Sequence, residues 1–212
     1  MSAPTWALLG ANLIPFLLVA GGFWNLREVL TLYWLETGII GFFNIFRIIL
    51  AAGPPDPGKS GCVFPGGMPI VAKCLLAGFF TLHFGGFMAG HGVFLFGVVL
   101  GGFKGGAIDV REMLYSVRWA AAALFLSHGM SFYFNYLRGG ERFRVSSAQC
   151  MQQPYSRIVV MHLTIILGAF VSLVFRDPGA VLPLFIGLKI FVDLKAHRRE
   201  REKFGPAQPA AA

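Results

Sequence analysis

Apolar residues run along this chain in long stretches separated by short polar breaks, with no alternating pattern of the kind a half-buried strand would show. Crossing about 30 Å of hydrocarbon at 1.5 Å per residue takes roughly 20 mostly apolar residues, which is the length of these stretches. Backbone amides in lipid must pair within their own segment, so each stretch predicts an α-helix. The pattern predicts an all-α fold, a polytopic transmembrane helix bundle of about six spans with a short interfacial helix.

The first span is placed at 5–23, read as a retained helix, and the second at 29–51, with Asn25, Arg27 and Glu28 in the tight turn between them. Dense prolines and glycines make 51–69 a loop. The apolar run 70–100 is too long for one untilted crossing and too short for two, so it is one tilted helix or a span followed by a half-helix. Residues 110–117 read as the amphipathic interfacial helix, 118–137 as the fourth span and 138–154 as a polar loop. The fifth span is placed at 155–175 and the sixth at 179–196. The membrane domain therefore covers 1–197, and 198–212 is a basic tail expected to be disordered.

Composition agrees with this layout, because 56% of the 212 residues are hydrophobic and only 13% are charged, too few to coat a water-facing surface. The 22 Phe suit lipid contact and the 27 Gly suit close helix approach, with Gly86 to Gly90 and Gly97 to Gly101 at small-xxx-small spacing. The net charge of +8 is a matter of topology, not of nucleic-acid binding. With six spans, one side of the membrane collects Arg47, Lys59, Lys73, Arg138, Arg142, Arg144, Arg157 and the tail cations, against Arg27, Lys104, Arg111, Arg118 and Arg176 on the other. The positive-inside rule then puts both termini in the cytoplasm. The lipid bilayer is the expected partner, alongside a membrane-protein partner or a second copy of the chain. Trp6, Trp24, Trp34 and Trp119 fall near predicted span ends, as interfacial anchors do. Cys62, Cys74 and Cys150 lack CxxC pairing and indicate neither a disulfide framework nor a zinc site.

Ionisable side chains inside the spans carry the candidate chemistry, since each costs roughly 2.5 to 3.5 kcal/mol at the bilayer centre and needs a partner or a purpose. Tyr33, Glu36, Asn44 and Arg47 fall on one face of the second span, and His128, Ser131, Asn135 and Arg138 on one face of the fourth. Counting from the outer ends puts Glu36 about 12 Å, His83 about 10 Å and His128 about 15 Å deep, so the three could share a centre. His162 is reckoned to enter about 10 Å from the cytoplasmic side, and His91 to lie at or beyond the outer boundary.

Imidazoles with a carboxylate suit a transition metal, with Glu36, His83 and His128 as ligands, or a haem held by His83, His128 and His162. No pair has HxxxH or HExxH spacing. A second reading is a proton- or ion-coupled transporter in which Glu36, with Lys189 and Asp193 at i, i+4, supplies protonatable groups. A third is a non-catalytic accessory subunit whose polar residues hold helices together. Ser127 and His128 are helical neighbours pointing about 100° apart, so they make no nucleophile–base pair.

The strings YWLE (33–36), HFGGFMAGHGVFLF (83–96), LSHGMSFYFNYLRGGE (126–141) and PYSRIVVMHLTIILG (154–168) together resemble an uncharacterised family of bacterial polytopic membrane proteins grouped as a domain of unknown function. The likeness runs from the first span to the sixth. It implies a small multi-span bacterial membrane protein and assigns no functional residue.

Overall fold

A computed structural model describes residues 21–22, 26–54, 68–100, 109–159, 161–163 and 166. The predicted first and sixth spans, the tail, Lys189 and Asp193 lie outside these residues. The chain divides into two compact units, 1–26 with 166–212, and 27–165; all that follows concerns the second.

Among the described residues the protein is entirely helical, without a strand. Helix α1 spans Leu26–Leu50, with Glu28 in its first turn and Arg47 in its last, each sign matched to the dipole at its end. Helix α2 spans Ile70–Phe94 and continues without a break into a π-helical turn, Leu95–Leu100. The apolar run 70–100 is therefore one continuous helix, not a span followed by a half-helix. It starts after Pro69, whose extended backbone stands at the cap position.

Helix α3 spans Val110–Ser131, capped by the Asp109 carboxylate, which accepts from the amides of Arg111 and Glu112 at 2.9 and 3.2 Å. It runs on as a π-helical segment, Phe132–Arg138, and stops at Gly139 and at Gly140, whose φ of 72° is left-handed. The interfacial helix expected at 110–117 is simply the first part of α3, because nothing between 117 and 118 interrupts the backbone ladder. Two described helices, Glu28–Leu50 and Ile70–Gly97, are long and apolar enough to cross a membrane.

The stretch 138–154 is more than a loop. A 3-10 turn at Glu141–Phe143 leads into helix α4, Ser147–Gln152, which opens with a reciprocal capping box between Ser146 and Gln149. Cys150 is fully buried there, and burial pushes its thiol above the usual value, which makes it a packing residue, not a nucleophile. After the turn at Gln153 and Pro154, residues 155–159 and 161–163 are again helical.

The contacts fix the relative directions of α1, α2, α3 and 155–163. Gly38 faces Met88, Gly41 faces Phe84, Gly92 faces Trp34, and Lys73 Nζ donates to the Ala51 carbonyl at 2.6 Å, so α1 and α2 are antiparallel. Phe43 stacks near Phe125, Phe46 near Phe132, and the Tyr136 hydroxyl donates to the Arg47 carbonyl at 2.6 Å, so α1 and α3 run parallel. His83 meets Tyr155 and His91 meets His162, so α2 and 155–163 also run parallel.

Small residues do set the close approaches, but at positions other than those expected. Gly38, Gly41 and Gly92 take the large side chains of the facing helix, whereas Gly86, Gly90 and Gly97 have no described neighbour within 4 Å of where a Cβ would stand. Trp34 also serves this contact. Its indole N–H donates to the Met88 carbonyl at 2.9 Å across the α1–α2 contact.

Candidate functional site

The α1 polar face points at other segments, as its spacing predicts. From the C-terminal end upward, the Arg47 guanidinium pairs with the Glu141 carboxylate and lies 4.9 Å from the centre of the Tyr136 ring. One turn on, the buried Asn44 amide donates to the Cys150 carbonyl at 2.9 Å and ties α1 to α4. These contacts lock the end of the bundle.

Eleven residues before Arg47 lies Glu36, whose side chain is 15% exposed. Its carboxylate stands 3.8 Å from His128 Nε2 on α3 and 4.0 Å from an Arg157 guanidinium nitrogen on 155–159. These are ion-pair separations, longer than direct hydrogen bonds. Glu36 thus joins three helical segments. The guanidinium stays charged at any working pH, so it balances the carboxylate whether or not the imidazole is protonated. The node thus sets a carboxylate, an imidazole and a guanidinium together at one junction.

The remaining histidines form two rungs between α2 and 155–163. His83 Nδ1 lies 2.7 Å from the Tyr155 hydroxyl, with the His83 ring stacked on Phe79. His91 Nδ1 lies 2.7 Å from the Phe87 carbonyl, which can only accept, so this nitrogen carries the proton. His91 Nε2 in the neutral ring is then an acceptor, and His162 Nδ1 donates to it at 2.9 Å. His162 itself is exposed.

Of the residues singled out from sequence, Glu36 and His128 come together, while His83 and His162 each take a different partner. Among the described residues no group of three or more His, Cys, Asp or Glu stands where it could hold a metal ion. The metal reading of Glu36, His83 and His128 thus finds no support there. The second expected polar face, on α3, also divides: His128 reaches Glu36, but Asn135 donates to Ser131 at 3.1 Å within its own helix and Arg138 is exposed.

Sequence reasoning missed Arg157 and Tyr155 as partners of these residues. The reckoning started the fifth helix level with the start of α2. Tyr155 instead stands level with His83, about 20 Å along α2 from Ile70, and His162 stands level with His91, about 31 Å along it.

A family of unknown function, DUF6498, matches residues 1–210. The chain belongs to this family. The matched length takes in all three segments that meet at Glu36. No curated protein and no solved structure matches the chain.

Proposed function

We propose that this DUF6498 member is a multi-pass protein of a bacterial inner membrane, with six crossings and both termini cytoplasmic. Its Glu36–His128–Arg157 node is the proton-binding centre of a small proton-coupled carrier. Two observations support the membrane part: two helices of crossing length, and helix directions that alternate as successive crossings require.

The functional part rests on one observation, a carboxylate within ion-pair distance of both an imidazole and a guanidinium at the junction of three helical segments. Ionisable groups in such a setting are costly, and helix association alone can be had from Asn, Ser or Thr at lower cost. The non-catalytic accessory reading draws on the rungs His83–Tyr155 and His91–His162, which satisfy one another without needing a ligand.

Infrared difference spectra of the protein in bilayers, taken from about pH 5 to about pH 9 across the ordinary imidazole range, separate the two. The carrier reading expects a carboxyl or imidazole band that titrates in the wild type and vanishes in Glu36→Gln. Superimposable spectra for wild type and Glu36→Gln would leave the node a structural clamp and favour the accessory reading.

A further inference from the structure

We infer that the turn 138–144 is a binding site for the phosphate headgroup of an anionic phospholipid; this rests on the membrane reading above. Three arginines crowd into this turn, Arg138, Arg142 and Arg144, and among the described residues none of them has a carboxylate partner. The single acid within the turn, Glu141, is taken by Arg47. The turn therefore presents surplus positive charge at the end of the bundle where α1 finishes.

Arg142 shows the want of a partner most directly. Its Nε is buried and has no hydrogen-bond partner among the described residues, while its guanidinium carbon lies 4.6 Å from the centre of the Phe143 ring. A buried donor without an acceptor is costly, and a phosphate oxygen is the acceptor a guanidinium matches best, through two parallel N–H donors.

The backbone that carries these charges is also held in place. Ala52 N donates to the Arg142 carbonyl at 2.7 Å and Gly53 N donates to the Val145 carbonyl at 3.0 Å, which pins the turn to the end of α1. Charges fixed beforehand lose less freedom on binding than those of a flexible basic segment. Exposed rings at Phe143, Tyr133 and Phe134 supply apolar surface beside the cations. Rings and guanidiniums together fit a headgroup with its attached acyl chains better than a free phosphate ion.

The test uses the full chain reconstituted into vesicles of phosphatidylcholine with a minor share of phosphatidylglycerol. Gentle detergent release and native mass spectrometry then count the lipids that stay bound. The wild type is expected to retain phosphatidylglycerol in excess of its share. Arg142→Ala/Arg144→Ala should fall back to the vesicle ratio, and Arg142→Lys/Arg144→Lys should keep part of the excess.

Where the double alanine variant loses helicity, exposed Arg144→Ala alone is read, with a partial loss expected. Retention at the vesicle ratio by the wild type, or an undiminished excess in the alanine variants, overturns the inference. Competition by inorganic phosphate overturns the lipid as the source of the anion. Failure of the wild type to float with the vesicles overturns the membrane reading itself, and so is distinct from a missing lipid preference.

Discussion

Glu36→Ala should destabilise the protein by about 2 to 3 kcal/mol, and adding Arg157→Ala should recover more than half of that loss. Removing one partner of a buried ion pair leaves the other charge uncompensated, at a cost of roughly 3 to 5 kcal/mol when burial is complete. The Arg157 side chain is 34% exposed, so solvent screens part of this and the lower figure is expected. The rescue is the diagnostic part. If the guanidinium is harmful only because its carboxylate has gone, removing both must cost less than the sum of removing each. Reversible unfolding of the four proteins in mixed micelles gives the cycle. Additive losses would show that the 4.0 Å approach of Arg157 to Glu36 carries no coupling.

The second large effect is expected at Gly53. A Cβ there would stand 2.6 Å from the Arg144 carbonyl carbon and closer still to the Val145 amide. Both obstacles are backbone atoms, which cannot swing aside as a side chain would. Gly53→Val must therefore push the turn away and break the two amide bonds that link Ala52 and Gly53 to Arg142 and Val145. Overpacking against an unyielding neighbour costs about 1 to 3 kcal/mol, and the lost hydrogen bonds add about 1 kcal/mol each. A fall in thermal midpoint well beyond that of Gly78→Val, where no described neighbour lies within 4 Å of a Cβ, is the expected result. Equal shifts at the two glycines would mean that the turn yields freely.

The helices themselves were legible because membrane-length apolar runs leave the backbone little alternative. Positions of α1 and α2 follow from composition and from the proline- and glycine-rich stretch between them. The α1 polar face was legible too, since helical periodicity alone puts Glu36, Asn44 and Arg47 on one side, and all three find interhelical partners. The register between helices could not be read in the same way. Counting depth from predicted span ends treats each helix as starting at the surface, and helix α4 breaks that assumption. Its signal was present in Ser146 and Gln149, a capping pair inside a stretch that otherwise reads as polar loop. With α4 packed under Asn44, the segment that follows advances along α2, so His162 arrives at His91 and Arg157 reaches Glu36. Arg157 was hidden for a related reason: beside a predicted span end it reads as a topogenic charge, and nothing local marks it as a partner for a carboxylate.

The carrier reading of the Glu36 node needs the antiparallel α1 and α2 to cross the bilayer in opposite directions. Single cysteines at Ala52→Cys and Gly97→Cys, in a chain whose Cys62, Cys74 and Cys150 are replaced by alanine, test this with a membrane-impermeant thiol reagent on oriented vesicles. Ala52→Cys should react only from the cytoplasmic face and Gly97→Cys only from the opposite face. Reaction of both from the same face would contradict the account.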